Sequence, residues 1–302
     1  MTITAEVIAD SVSPEGIRIT SVQLRYPRFI HAELMTHRVF SRNASSSRAI
    51  PVEKLIEDLR RDPAMPVYWG SNQKGMQAGA EISNIGQEVC RDEWLEAMNY
   101  AIYRAQDMVA QGLHKQIANR ILEPWAHINV LVTSTSWANF FALRRHPDAQ
   151  PEIKVLADRI YEAMEKTTPQ RLYPGQWHLP YISGIDAANA GASLTAPNLS
   201  REDVQQQAFE ILKKVSVARC ARVSYLTHDR KPTRVRDDLE LYNRLVGSQP
   251  LHASPAEHQA TPDEQWNNMG GGLDQWKYPE LHGNFTGWKQ LRKMLPGEYV
   301  ED

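Results

Sequence analysis

Residues 36–48 read Thr-His-Arg-Val-Phe-Ser-Arg-Asn-Ala-Ser-Ser-Ser-Arg, and they follow directly on an apolar segment at 29–35. Four serines, three arginines, a histidine and an asparagine share this short stretch. Hydroxyls, backbone N–H groups and guanidinium forks are the groups that hold phosphate oxygens, and arginine does so with two parallel bonds. The composition therefore points to an anion site for a phosphorylated ligand, with a solvated polar loop as the alternative. Formal net charge is −2, which excludes a nucleic-acid binder that relies on a general basic field.

The spacing carries more than the composition. His37-Arg38, seven residues, then Ser46-Ser47-Arg48 resembles the Arg-His-Arg-x7-Ser-x-Arg signature of the flavin-dependent thymidylate synthases, with Thr36 at the first Arg. Ala118-Asn119-Arg120-Ile121-Leu122 resembles that family's "AR-x-x-L". Ser136-Trp137-Ala138-Asn139-Phe140-Phe141-Ala142-Leu143-Arg144 and Ala149-Gln150-Pro151-Glu152-Ile153 are similar to its "S-L-x-x-F-x-x-LR-x4-AQ-x-EI". Ala221-Arg222-Val223-Ser224-Tyr225 and His252-Ala253-Ser254-Pro255-Ala256-Glu257-His258 resemble "ARVS(F/Y)" and "H-x-(S/T)-P-F-E-H". In the family the last of these blocks comes first. The resemblance thus implies a circularly permuted α/β (α+β) fold, an antiparallel sheet with packed helices. It would form a single catalytic domain over 1–302, with a joining segment at 166–203 and a C-terminal extension at 259–302. Permutation is tolerated where old termini lie close together at the surface.

What the resemblance implies for the site is specific. Ser46, Ser47, Arg48 and Arg120 would hold the substrate phosphate, with Glu33 beside the nucleotide. Arg144 would sit against the pyrimidine and favour loss of its N3 proton, since a fixed guanidinium stabilises a neighbouring anion. His37, Arg38, Asn139, Ser224, His252, Ser254 and Glu257 would line FAD. The expected reaction is methylation of dUMP to dTMP at C5, with methylenetetrahydrofolate and NAD(P)H as co-substrates, in a cytoplasmic homotetramer. Hydroxymethylation or methylation of dUMP or dCMP is the alternative, and a non-catalytic nucleotide- or RNA-binding relative is a rival of another class.

Five positions depart from the family pattern: Thr36 for Arg, Glu33 for Gln, Ala44 for Glu, Thr133 for a flavin-contacting Asn and Ala256 for Phe. Exchanging Arg for Thr removes a fixed charge and five donors. A carboxylate near a phosphate repels it unless it meets another donor. Such changes around the ring bear on which base is accepted, because pairing or stranding buried polar groups discriminates strongly.

Neither cysteine has the surroundings of a nucleophile, and both Cys90 and Cys220 read as small apolar packers. His252 and His258 would point apart on a helix, with no carboxylate spacing to complete a ligand set, so no metal is expected. No apolar run approaches the roughly 18 residues that span a bilayer, and the first residues lack the pattern of a signal peptide, so no membrane partner is expected.

Certain elements must position these residues. Alternating β-branched segments at 3–9 and 17–25, separated by Ser13-Pro14-Glu15-Gly16, predict a β-hairpin. A short helix is expected over 29–38 and another over 51–59, with Pro51 at its first position. Residues 63–90, which carry four glycines, read as loop, and 92–111 as a helix with one apolar face closed by Gly112. An apolar run at 128–132, then helices at 136–145, 153–164, 203–216 and 234–246, complete the expectation. Gly270-Gly271-Gly272 reads as a turn rather than a phosphate loop.

Overall fold

A computed structural model describes residues 3–192, 200–224, 233–247, 251–266 and 275–299. Tyr225 and the three glycines at 270–272 lie outside the described residues.

The predicted hairpin is the spine of the molecule. Strands β1 (Thr4–Val12) and β2 (Arg18–Pro27) pair antiparallel around the Ser13–Gly16 turn, where the Gly16 N–H donates to the Ser13 carbonyl at 3.0 Å. Gly16 has φ +82°, a conformation that disfavours any side chain. After Pro27 come a 3-10 turn (Arg28–Ile30) and the short helix α1 (His31–Met35), then strand β3 (Ser41–Ala44) and a second 3-10 turn (Ser47–Ala49). Helix α2 (Val52–Arg61) begins just after Pro51, which serves as its cap rather than its first residue.

Helix α3 (Asn84–Ala110) begins earlier than the sequence suggested. Its first turn falls in the stretch read as loop, because Ser83 accepts from the Gly86 N–H at 3.2 Å and so caps a glycine-containing turn. Met98, Ile102 and Ala105 are buried against Val52, Leu55, Ile56 and Leu59 of α2. Helix α4 (Lys115–Ala118) and a 3-10 stretch (Asn119–Trp125) lead into strand β4 (His127–Ser134). Helices α5 (Ala138–Arg144) and α6 (Pro151–Glu165) follow, and α6 has Pro151 in its first turn, where its missing N–H costs nothing.

The five-stranded sheet has the order β3-β4-β2-β1-β5, where β5 (Gln170–Arg171) pairs parallel with β1 and every other pair is antiparallel. Its two faces differ in chemistry, as period-two alternation requires. Val22, Leu24, Tyr26, Ile128, Val130 and Val132 form one apolar core with Ile153, Leu156, Ala157 and Ile160 of α6. The opposite face offers Ser21, Gln23 and Thr133, all buried, and the C-terminal half of the chain covers it.

That cover begins inside the expected joining segment. Leu172 and His178 are buried, and residues 184–192 form helix α7 (Gly184–Ala192), so the described part of this segment that precedes residue 193 is built into the fold. Helices α8 (Arg201–Arg222), opened by a Ser200–Asp203 capping box, and α9 (Val235–Leu245) pack on one another. The C-terminal part adds β6 (Ala260–Pro262), β7 (Gln265–Trp266), β8 (Gln275–Trp276) and β9 (Trp288–Gln290), paired as β6–β9 and β7–β8. Trp288 is fully buried against Ile19, Leu172, Ala260 and Phe285, and its indole N–H donates to the Ile17 carbonyl at 3.1 Å. Among the described residues no helix is long and apolar enough to cross a membrane.

One ion-pair network ties this cover together. Arg219 donates to Asp186 at 2.7 Å and to Asp238 at 3.0 Å. Burial alone would raise the Asp186 carboxyl, but hydrogen bonds from Arg219 and Ser183 outweigh it and bring it down to about 2. A carboxylate depressed in the folded state stabilises the fold above its unfolded value, and that stability is lost as pH falls through the folded value. Thermal melts between pH 4 and pH 2 should therefore show a loss of midpoint that Asp186→Asn flattens; identical slopes for the two proteins would refute the assignment.

Candidate functional site

The signature stretch and α5 meet at one guanidinium. Arg144 Nε donates to His37 Nε2 at 3.0 Å, and Nη2 donates to Thr36 Oγ1 at 3.2 Å. Its Nη1 lies 4.0 Å from the Glu33 carboxylate. His37 is buried, stacked on Phe40 and edge-on to Phe140. Burial, Arg144 and Arg42 all push His37 below its ordinary value, so the ring is neutral and its Nε2 is free to accept from Arg144. Burial raises the Glu33 carboxyl while Arg144 opposes that rise. Two of the departures, Thr36 and Glu33, are thus the neighbours of Arg144. The Thr36 hydroxyl accepts from this guanidinium and the Glu33 carboxylate faces it at 4.0 Å, where a second arginine would repel it.

Glu33 and Arg144 line the wall of a cleft of about 1460 Å³. Phe29, Tyr68 and Trp94 give it aromatic surface. An apolar cleft with a few convergent polar groups is the usual form of a small-molecule site.

The phosphate candidates lie elsewhere on the signature. Ser47 Oγ donates to Glu123 at 2.5 Å, and Arg120 Nη1 donates to the same carboxylate at 3.0 Å. Arg48 is exposed one residue away, and Ser46 receives a backbone contact from the other end of the chain, its N–H donating to the Ser224 carbonyl at 3.4 Å. Ser46 and Ser224 also share a smaller cavity of about 260 Å³ with Arg25 and His127. Burial and Arg25 push His127 down to about 4, consistent with its neutral Nδ1 accepting from Arg25 at 3.1 Å.

The second C-terminal block returns to the same neighbourhood. The turn Ser254–Glu257 packs on β3, where half-buried Arg42 feels the Glu257 charge. Glu257 itself is paired with Arg292. His258 is fully buried, and its Nδ1 is 2.8 Å from Thr133 Oγ1. From there a chain of short contacts runs through Ser21 Oγ (2.6 Å), His178 Nε2 (2.8 Å) and His178 Nδ1 to Ser11 Oγ (2.9 Å). Burial pushes both histidines down to about 3, so they are neutral links. Thr133, a third departure, therefore pins the C-terminal block to the polar face of the sheet.

Cys220 is fully buried, accepts from Gln259 at 3.3 Å, and burial pushes its thiol up, which leaves it no reactivity as a nucleophile.

A family model described as thymidylate synthase complementing protein matches residues 16–170, just over half of the chain. The chain belongs to this family. The match contains the signature and the block that ends at Ile153, while the 221–225 and 252–258 blocks lie beyond it. None of the curated proteins matches. Among solved structures, a UMP/dUMP methylase, PolB, from Streptomyces cacaoi bound with 5-Br dUMP is 19% identical, with 55% of this chain and 90% of that chain covered and a TM-score of 0.46. Thymidylate synthase X (ThyX) from Helicobacter pylori with FAD and dUMP is 15% identical, with 48% and 67% covered and a TM-score of 0.35.

The thymidylate synthase complementing protein motifs are gathered only in part within this chain. Glu33, His37 and Arg144 form one cluster; Ser46 and Ser224 form a second; Ser47 and Arg120 meet on Glu123. Arg38, Asn139, His252 and Ser254 are exposed. Neither of the two cavities described brings Arg48, Arg144 and Ser254 together. Sequence reasoning missed Glu123, which accepts from Ser47 and Arg120 and pairs with Arg28 at 3.3 Å. Glu123 stands three residues after Arg120, the spacing of neighbours on a helical surface, and that was the available signal.

The residues that the resemblance matches to FAD comprise a guanidinium, two imidazoles, an amide, two hydroxyls and the Glu257 carboxylate. Arg38, Asn139, His252 and Ser254 are exposed, and a guanidinium with neutral donors has the chemistry to bind a pyrophosphate and a ring edge. Glu257 is paired with Arg292 and His37 with Arg144, and neither cavity described gathers the whole set.

Proposed function

We propose that this protein transfers a one-carbon unit to C5 of a pyrimidine deoxynucleoside monophosphate, reducing it to a methyl group in a flavin-dependent reaction. The family supports pyrimidine C5 methylation. The observation that carries the finer reading is the Arg144 cluster, a guanidinium fixed by neutral His37 and by Thr36 on the wall of a large aromatic cleft. In that position it stabilises a pyrimidine deprotonated at N3, which raises electron density at C5. His37 keeps the guanidinium plane in place, and Ser46, Ser47, Arg48 and Arg120 orient the nucleotide through its phosphate. Arg38, Asn139, Ser224, His252, Ser254 and Glu257 would hold FAD, which supplies hydride when bound and reduced by NAD(P)H. Methylenetetrahydrofolate is the proposed carbon donor. Because exposed Arg48 and exposed Ser254 share neither cavity with Arg144, we propose that the sites are completed between subunits of a homotetramer. The chain order of the 221–225 and 252–258 blocks supports a circular permutation of the family arrangement.

The first-choice base is uracil, giving dTMP from dUMP. Glu33 favours a second reading. Two carbonyls flank N3 of uracil, whereas an amino group flanks N3 of cytosine on one side, and a carboxylate accepts from an amino group and repels a carbonyl oxygen. Incubation of the FAD-loaded protein with reductant, methylenetetrahydrofolate and either dUMP or dCMP, followed by mass spectrometry, decides it. A gain of one methyl on dUMP alone supports the first reading, and on dCMP alone the second. No modified nucleotide from either would overturn both.

A further inference from the structure

A single oxygen, Oε1 of Glu123, accepts hydrogen bonds from two residues and pairs with the guanidinium of a third, each from a separate part of the chain. Ser47 Oγ approaches it at 2.5 Å, Arg120 Nη1 at 3.0 Å and Arg28 Nη2 at 3.3 Å. Arg28 follows the end of β2, Ser47 opens the turn after β3, and Arg120 belongs to the 3-10 stretch before β4. Glu123 is about four-fifths buried at its side chain and Arg28 equally so, while Arg120 is half exposed. Convergence of two guanidiniums and a hydroxyl on one anionic oxygen is how proteins hold a phosphate oxygen.

We propose that Glu123 is an internal stand-in for the substrate phosphate, and that Arg28 is a further phosphate-binding residue in the same cradle. This rests on the reading above of Ser47 and Arg120 as phosphate ligands. Without an anion the cradle would set two guanidiniums side by side, and the carboxylate holds them converged on one point. Two positive charges face one negative charge, so the cradle keeps a net attraction for an arriving anion, and exposed Arg48 adds to it. A phosphate monoester at neutral pH brings more charge than a carboxylate and three acceptor oxygens, so it displaces Glu123 from the shared donors. The carboxylate is then a competitor that every phosphorylated ligand must overcome, which lowers affinity for phosphate while keeping the donors organised. Ligands without phosphate leave it in place.

Isothermal titration of the wild-type protein with dUMP, deoxyuridine and inorganic phosphate, repeated for three variants, tests the assignment. Glu123→Gln keeps the shape and removes the competing charge; dUMP and inorganic phosphate should then bind about tenfold tighter, with deoxyuridine unchanged. Arg28→Ala should weaken dUMP and inorganic phosphate about tenfold and again spare deoxyuridine. Weaker dUMP binding by Glu123→Gln would make Glu123 an orienting scaffold and overturn the proposal, as would unchanged phosphate affinity in Arg28→Ala. Arg120→Ala separates the two levels of reading. If it weakens phosphate binding while the other two variants behave as wild type, only the roles of Glu123 and Arg28 fall. If it too leaves phosphate affinity unchanged, the cradle itself is misassigned. Far-ultraviolet circular dichroism on each variant confirms that the fold is retained, and an unfolded Glu123→Gln protein would itself show the carboxylate to be structural.

Discussion

Arg144→Ala should lower turnover at least about 100-fold while leaving flavin content unchanged, because in the proposed reaction the charge it removes acts on the substrate base and not on the cofactor. Loss of one preorganised donor aimed at developing negative charge costs on the order of 10²–10³ in rate. Arg144 has the marks of such a group: it is anchored by His37 at 3.0 Å and Thr36 at 3.2 Å, so little reorganisation is needed when the base is deprotonated. Arg144→Lys is the informative control. It retains the positive charge but cannot keep both the Nε and Nη2 contacts, because an ammonium is a point charge rather than a planar fork. Turnover of the lysine variant should therefore fall between those of the wild type and the alanine variant, with the loss in kcat rather than KM. Flavin absorbance of the purified variants and steady-state rates give both readouts. Wild-type turnover in Arg144→Ala would remove this residue from the mechanism.

The hairpin at the centre of the sheet was legible because its signals are local. Alternation across 17–25 and a proline-glycine turn dictate its strands without reference to the rest of the chain, whereas 128–132 showed only as an apolar run, and β3 and β5 carried no strand signal of their own. Helix α6 followed from an apolar spacing of three and four behind Pro151. The start of α3 was missed because Gly86 weakens the helical pattern, although Ser83, a local N-cap three residues before it, was an available signal. The polar face of the sheet was hidden for a different reason. Ser11, Ser21 and Thr133 look like ordinary strand residues, and nothing in the sequence shows that His178 and His258 complete them across more than a hundred residues.

The candidate site shows the same division. Motif spacing singled out Arg144 and the signature serines, and the structure adds why three departures are tolerated. Thr36 and Glu33 both accept from or face Arg144, so replacing the family's arginine and glutamine alters one shared electrostatic neighbourhood. Thr133 turns instead to His258 and serves as a clasp between β4 and the C-terminal block. For Ala44 and Ala256 the structure gives no account in terms of the site.

The C-terminal cover depends on a carboxylate with no exposure at all. Asp238 accepts from Arg219 Nε at 3.0 Å, Arg222 Nε at 2.9 Å and Thr233 Oγ1 at 2.6 Å, and its side chain is 0% accessible. Removing one member of such a network leaves the others charged and desolvated, which costs about 3–5 kcal/mol, much more than an exposed ion pair contributes. Asp238→Asn should therefore lose that much unfolding free energy in denaturant titrations, although it preserves the shape of the side chain. The consequence reaches the site, because Arg219 and Arg222 are on the last turn of α8, and that turn delivers Ser224 to its contact with Ser46. Nucleotide and flavin binding in Asp238→Asn should weaken in step with stability, whereas Arg236→Ala, which breaks only the exposed pair with Glu240 on α9, should change neither. A cost below about 1 kcal/mol for Asp238→Asn would place the network in the class of surface pairs. The anchoring of Ser224 would then have to come from the apolar packing of Cys220 and Val223 on Leu131.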